Sequence, residues 1–361
     1  MKKNNNYTSD FIRKLKKNKG ALIAVVVIVL SAFVAVFAYF LAPDHSPYAN
    51  RMIPEIANKR PGFHIEALRV KKERVVLKAS FFERLLNGSE SNYNLVPFIS
   101  HEIKGDSIII QKYIDEGISE RKAYAKTILS EDPVEQIHFS LGSDRFGRDI
   151  ASRLIVGTRV SLSVGAIAVI ISLTIGIMLG ALAGYFKGRT DDIIMWFINI
   201  IWSIPTLLLV FAITLVLGKG FWQVFIAVGL TMWVNVARLV RGQVLQAREM
   251  EYVEATKVLG FSNTRAIFNH ILPNIMGPVI VIAANNFAAA IVIEAGLSFL
   301  GVGVQPPQPS WGLMIKENYN FIITHNPMLA ISPGIAIMLL VLAFNLLGNG
   351  LRDALNVKSK L

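Results

Sequence analysis

No cysteine occurs in the 361 residues of this chain. Disulfides, thiolate metal sites and a cysteine nucleophile are thereby excluded. Charge is scarce too: Asp, Glu, Lys and Arg make up 17% of the residues and hydrophobic types 53%, with a mean hydropathy of +0.48. A soluble domain carries roughly 25% charged residues. Phosphate and hydrolase motifs are also missing. Nothing matches G-x-x-x-x-G-K-[ST], H-E-x-x-H or G-x-S-x-G, and no carboxylate pair lies inside an apolar run. The chain is therefore not expected to cradle ATP phosphates in a P-loop, to bind a cofactor or metal, or to act as an enzyme.

What is present is a set of long apolar runs, which mark an integral membrane protein. Six candidate spans are read at 21–42, 160–186, 193–217, 221–239, 276–295 and 328–347. The first follows a basic stretch, but its apolar core exceeds the roughly 7–15 residues of a signal peptide and no A-x-A site follows. It is read as an uncleaved span. Pro205 should kink the third span by removing a backbone donor. Gly176, Gly180 and Gly184 repeat every four residues, a spacing that admits the backbone of another helix, either within the bundle or at a dimer seam.

The net charge of +12 does not point to nucleic acid. Residues 43–150 hold 16 Lys/Arg and 16 Asp/Glu, whereas residues 1–20 hold seven basic residues and one acid. A basic tail beside a span is a topology signal facing anionic lipid. With the N-terminus inside, the short cytoplasmic segments carry sixteen Lys/Arg and the short outer loops only Lys219 and Lys316. Both termini are thus expected in the cytoplasm.

Between the first two spans lies a charged, alternating segment. Runs such as "RVVLKASFF" (74–82) and "DSIIIQKYI" (106–114), with "NGS" and "KGD" turn signals, suggest a small, mostly β extracytoplasmic domain over 43–137. Its histidines, His45, His64, His101 and His138, lack metal-ligand spacing. In the spans, Glu294 lies near the end of the fifth, where it can reach water or a helix end. Asn285 and Asn286 could hydrogen-bond across helices. A proton-coupled transporter would show more buried titratable groups than this, so energy is expected from outside the chain.

The cytoplasmic segment 240–275 is more structured than a connection requires. Gln243 to Leu259 favours a helix, with Leu245, Val253 and Leu259 beside the small Ala255 and Thr256 on a shallow apolar face. Gly260 suits a left-handed stop. Ser262 or Asn263 can cap a second short helix running to Leu272, ended by Pro273. Two helices meeting at a glycine give a bent, rigid surface. The alternative, an amphipathic helix lying on the membrane, is opposed by Glu251 and Glu254, which anionic lipid disfavours.

At these residues the chain resembles a permease subunit of the ATP-binding-cassette importers. The family's loop reads E-A-A, three residues, G, nine residues, I-x-L-P; here stand Glu254, Ala255, Thr256, then Gly260, then His270-Ile271-Leu272-Pro273. Thr256 and His270 depart from the pattern, and "HILPN" is similar to the peptide-importer branch. "LGSDRFGRDIASRLIVGTRVSLSVG" (141–165), "LSFLGVGVQPPQPSWG" (297–312) and "NLLGNGLRDALNVK" (345–358) resemble the di- and oligopeptide permeases of the peptide/nickel branch, in particular the C-type subunit. Asn349 and Asn356-Val357 differ from the usual residues there. Residues 50–136 fall outside the resemblance.

In 141–165, Phe146, Ile150 and Leu154 recur every four residues, with Arg148, Ser152 and Arg153 on other faces. This suggests an interfacial helix including Gly147, Arg148 and Asp149, or else a plain N-terminal extension of the second span. In 297–312, Gln305, Pro306, Pro307 and Pro309 suit a structured outer loop and Trp311 a membrane interface.

The resulting expectation is an all-α polytopic membrane protein with six transmembrane helices and an inserted, mostly β domain. It comprises a basic tail (1–20), a first span (21–42), the insert (43–137), a permease core (138–350) and a cytoplasmic C-terminus (351–361). The resemblance implies a multi-pass permease in a bacterial inner membrane that imports di- or oligopeptides by alternating access. It further implies a second homologous permease, two cytoplasmic ATP-binding subunits that hold ATP and Mg, and an extracytoplasmic binding protein. Glu254, Ala255, Thr256, Gly260, Leu272 and Pro273 would couple to the ATPases. Import of nickel or another small solute, and a non-transport scaffold, are the alternatives.

Overall fold

The computed structural model describes residues 13–74, 76, 79–323 and 326–355. Lys2, Lys3 and Asp10 of the basic tail, three residues of the 74–82 run, and Asn356 and Val357 lie outside the described residues. In chain order the helices are α1 (Lys19–Val36), α2 (Ala38–Leu41), α3 (Phe81–Asn87), α4 (Ile150–Phe186), α5 (Gly188–Ser203) and α6 (Thr206–Leu217). They continue with α7 (Phe221–Arg248), α8 (Glu251–Val258), α9 (Asn263–Arg265), α10 (Leu272–Leu300), α11 (Trp311–Asn318) and α12 (Met328–Leu355).

The apolar runs fold as helices because a segment without water must satisfy its own backbone groups. Five helical segments are long and apolar enough to cross a membrane: α1, α4, α7, the run Asn263–Leu300, and α12. The pair α5 and α6, bent by 94° at the break holding Pro205, makes a sixth if it is counted as one span. The proline break is thus a near right angle, larger than a kink within one helix.

The chain divides into two compact units. The first comprises Met1–Ser31, Ser161–Gln305 and Ile337–Leu361. Here Gly176, Gly180 and Gly184 line the face of α4 that meets α7. A Cβ on Gly180 would stand 2.5 Å from the Ala237 carbonyl oxygen, and one on Gly184 2.8 Å from that of Arg241. The glycine repeat therefore serves packing within the bundle.

The second unit comprises Ala32–Val160 and Pro306–Ala336. Its five strands are β1 (Phe63–Lys71), β2 (Tyr93–Lys104), β3 (Ser107–Asp115), β4 (Ile118–Ala125) and β5 (Leu129–Phe139). They form one antiparallel sheet in the order β4-β3-β2-β1-β5. Leu68, Phe98, Ile108, Ile110 and Leu129 make its core. The "KGD" signal turns β2 into β3 with Gly105 at φ 57°. The 74–82 run is not a strand where it is described: Phe81 and Phe82 open α3. A reciprocal capping box explains the switch, since the Ser80 hydroxyl accepts from the Glu83 N–H while the Glu83 carboxylate accepts from that of Ser80. "NGS" ends that helix, with Gly88 at φ 77°, and does not close a hairpin.

Candidate functional site

The loop after α7 is built on the bundle's own core. Val253 of α8 is fully buried with Tyr185, Val240, Val244, Ala266, Ile267, Ile271 and Leu272 in one apolar cluster. The helix expected over 243–259 is interrupted: α7 ends at Arg248 and α8 begins at Glu251, with Met250 extended between them. That break turns the apolar face. Val253 and Thr256 point inward, whereas Val258 and Leu259 are 88% and 70% exposed. Glu254 and Ala255 are exposed beside them.

Gly260 stops α8 as its φ of 73° requires. The Phe261 N–H reaches the Thr256 carbonyl and the Gly260 N–H that of Lys257, the paired bonds of a Schellman motif. Thr256 fits this corner. Its hydroxyl donates to the Val253 carbonyl at 2.7 Å, so the departure from alanine adds no unsatisfied group. The Ser262 side chain caps α9 by accepting from Arg265 N–H. Phe261 stacks on His270 at 5.6 Å and lies under the Arg265 guanidinium at 4.2 Å.

Pro273 does not end a helix. A π-turn over Ala266–Ile271 leads directly into α10, where Pro273 occupies the first turn. The Leu272 N–H bonds to the Ile267 carbonyl, five residues back, and the wider turn relieves the clash that a proline ring makes with the preceding turn. The Asn274 amide donates to the His270 carbonyl at 2.8 Å, satisfying an acceptor in the widened turn.

Sequence reasoning missed the residues that tie this loop down. The Tyr185 hydroxyl, at the end of α4, bonds to Asn263 Oδ1 at 3.0 Å, and Arg248 Nη1 donates to the Tyr185 carbonyl at 2.5 Å. Only the three-dimensional fold brings position 185 to position 263. Lys187 pairs with Glu249 at 2.7 Å and holds that carboxylate below its usual range, although the pair is exposed. Tyr185→Phe should lower stability by about 1 kcal/mol through the lost hydrogen bond. Tyr185→Ala should cost about 3–5 kcal/mol, as aromatic truncations in a core do. Thermal unfolding in detergent checks both.

In the same unit a cavity of about 210 Å³ is lined by Ile201, Trp202, Thr206, Asn235 and Asn286, among others. Asn286 is buried, and among the described residues its Nδ2 has no hydrogen-bond partner. Among the described residues it lines the cavity and forms no cross-helix bond through that amide nitrogen. Glu294 does not reach water: it is fully buried, and its Oε1 accepts from the Ser298 hydroxyl at 2.6 Å. Ser298 in turn accepts from the Val304 N–H, and Gln305 Nε2 donates to the carbonyls of Gly301 and Gly303. These bonds organise the chain where α10 ends.

In the second unit, Gly147, Arg148 and Asp149 do not lie on an interfacial helix. They form a tight turn before α4, with Gly147 at φ 72° and any Cβ there driven into the Ile53 carbonyl. Asp144 closes the turn, accepting from the N–H groups of Phe146 and Arg148. Arg148 is buried; Nε donates to Asp144 at 2.6 Å, Nη1 to Asn50 at 3.2 Å and Nη2 to Glu317 at 2.9 Å. Arg153 is also buried, with Nη2 3.5 Å from the same Glu317 oxygen. The polar side of the 146–154 pattern therefore faces inward, onto a carboxylate. Burial pushes the Asp149 carboxyl up, against the hydrogen bonds it accepts from Ser152. Pro306, Pro307 and Pro309 precede α11. Trp311 is not at an exposed interface: it is 3% exposed, its Nε1 donates to the Leu154 carbonyl at 3.0 Å, and its ring lies against Gly157.

Residues 176–360 match the model of the family described as binding-protein-dependent transport system inner membrane component. Residues 6–61 match the N-terminal transmembrane domain of oligopeptide transport permease C. The chain is 41% identical over 240 residues to the oligopeptide transport system permease protein OppC of Bacillus subtilis, covering 66% of this chain and 78% of that one. It is 42% identical over 220 residues to the glutathione transport system permease protein GsiD of Pectobacterium atrosepticum, covering 61% and 73%. Against the dipeptide transport system permease protein DppC of Alkalihalophilus pseudofirmus the identity is 43% over 219 residues, covering 61% and 72%.

Proposed function

The chain belongs to the family of binding-protein-dependent transport system inner membrane components, and we propose that its cargo is short peptides, moved into the cytoplasm by alternating access. The reading is supported by relatives named for oligopeptide, dipeptide and glutathione transport. The observation that carries the mechanism is the loop 251–272, whose buried side shares one core with α4, α7 and α10 while its outer side presents Glu254, Ala255, Val258 and Leu259.

A surface continuous with the core moves with the spans as a rigid body. In this reading two cytoplasmic ATPase subunits, which carry ATP and Mg, seat α8 in a cleft on one of them, and their closure is transmitted through Gly260 and the π-turn to α10. A second homologous permease completes the pathway, and the cavity at Asn235 and Asn286 lies along it. The termini are cytoplasmic. Residues 43–137, with the sheet, form an inserted domain on the outer side, where Gln305, Pro306, Pro307 and Trp311 shape a loop that receives peptide from a binding protein. Arg148, in the turn with Gly147 and Asp149, supports that loop through Glu317.

Glu254→Arg and Gly260→Pro in the assembled complex should abolish uptake of a labelled peptide while the chain remains in the membrane. Copurification with the ATPase subunits should fall as well. Intact uptake and assembly in both variants would remove the coupling role. Uptake assays with dipeptide, oligopeptide, glutathione and nickel in the wild-type complex separate the cargo classes, and nickel transport without peptide transport would overturn the peptide assignment.

A further inference from the structure

The short helix α3 has an apolar face that the described residues leave largely exposed. Phe81, Phe82, Leu85 and Leu86 fall within one side of the helix at 100° per residue, and Glu83, Arg84 and Asn87 fall on the other. Phe81 is 60%, Phe82 72% and Leu86 59% exposed, and Leu85 is half-buried. In a water-facing segment of two turns, this arrangement leaves three large side chains unprotected for no gain in packing.

The position of α3 identifies what covers it. Phe81 stacks on Phe40, in α2 at the end of the first span, with ring centroids 5.5 Å apart. The Arg84 guanidinium lies over the same Phe40 ring at 5.5 Å. Phe33, Val36 and Leu41, along the end of that span, are exposed apolar residues of the same unit. Arg159 of α4 donates to the carbonyls of Leu85 and Leu86, fixing the last turn of α3, and the Ser89 N–H bonds to the His45 carbonyl just beyond the span. The helix is thus tied to the end of the first span through Phe40 and to the start of α4 through Arg159, and its exposed Phe81 adjoins the exposed apolar residues at that span's end.

We propose that α3 is an interfacial anchor whose occupant is the bilayer itself: its Phe81, Phe82 and Leu86 face lies in the headgroup–acyl boundary at the surface where the first span ends. Helices of this kind bury their apolar face about 5–10 Å into that boundary. One acid and one base leave α3 without net charge, so insertion relies on apolar area and requires no anionic lipid. The anchor fixes at the membrane surface the segment that leads from α3 into β2. It lies outside the matched family segments and is independent of the cargo.

The absence of cysteine makes the test direct. Phe82→Cys and Glu83→Cys in the full chain, each nitroxide-labelled and reconstituted in phosphatidylcholine vesicles, are compared by power-saturation spectroscopy with oxygen and a water-soluble nickel chelate. At position 82 oxygen accessibility should exceed that of nickel, at a depth of about 5–10 Å, and at 83 the order should reverse. The result should not change when phosphatidylglycerol is added. Leu86→Cys, on the same face, provides a second reporter if the first variant folds poorly. Nickel accessibility equal to or above oxygen at both 82 and 86 would overturn the proposal. So would exclusion of both reagents from those positions, the pattern of a protein-covered face, or shielding that arises only on adding a binding protein.

Discussion

Glu317→Gln is expected to destabilise the protein by about 3–5 kcal/mol, the cost of breaking a buried ion pair by removing one partner. The Glu317 side chain is 8% exposed, and it faces two guanidiniums that are 2% and 1% exposed. Arg148 would keep Asp144 and Asn50. Arg153 would not fare as well: among the described residues its Nη1 and Nη2 have no hydrogen bond, and Glu317 is the carboxylate within ion-pair distance. The substitution therefore strands a buried cation. Glutamine keeps the shape and an acceptor, so the loss reads charge more than packing. Glu317→Asp should be intermediate, because the shorter side chain cannot serve both arginines. Pairing Glu317→Gln with Arg153→Gln should cost less than the sum of the two single changes, since residues in one network are not additive. Lys316→Gln, one residue away and exposed, should stay within about 0.5 kcal/mol of wild type. Thermal unfolding of the detergent-solubilised chain, followed by size-exclusion fluorescence, reads all five variants. If Glu317→Gln unfolds with the Lys316→Gln control, the network contributes nothing.

The elements legible in the sequence were those governed by local rules. Apolar runs near the bilayer thickness gave the spans, Pro205 marked the break between α5 and α6, and Gly260 and Ser262 announced a stop and a cap that the backbone adopts. "DSIIIQKYI" announced β3 by alternation and a glycine turn. The misreadings came where a distant partner decided the outcome. The 146–154 period fits an interfacial helix or an extension of the second span; the helix begins only at Ile150, and Glu317, far along the chain, draws Arg148 and Arg153 inward. Trp311 looked interfacial until Gly157 left room for its ring. Pro273 looked like a stop because a proline in a regular α-turn is one; the π-turn before it changes the register of the bonds it would break. Tyr185 and Asn263 carry no signal of their own, since a tyrosine at a span end has a sufficient reason to be there at the interface.

Gly180→Val is expected to prevent stable assembly of the first unit. A Cβ at position 180 would meet the Ala237 carbonyl oxygen at 2.5 Å, Val240 Cβ at 2.9 Å and Ala237 Cα at 3.0 Å. Two of those three atoms are backbone, so no rotamer change on α7 relieves the contact, and the helices must separate. Overpacking in a core typically costs about 1–3 kcal/mol where side chains can yield; with backbone in the way the loss should exceed that range. Separation would also disturb Gly176 and Gly184, whose Cβ positions lie 2.8 Å from the carbonyl oxygens of Trp233 and Arg241. Lipid offers no hydrophobic drive to close the gap again, because tails are as apolar as the side chains they would replace. Gly180→Ala should show a smaller loss in the same direction. Adding Val240→Ala should not rescue Gly180→Val, since the closest atom belongs to Ala237. Gly242→Ala supplies the opposite control: it lies within α7, nothing stands within 4 Å of its Cβ position, and alanine is the better helix former by about 1 kcal/mol. Membrane-fraction yield and detergent melting should therefore fall sharply for Gly180→Val and hold or rise for Gly242→Ala. Equal behaviour of the two would show that the glycine repeat does not set the approach of α4 to α7.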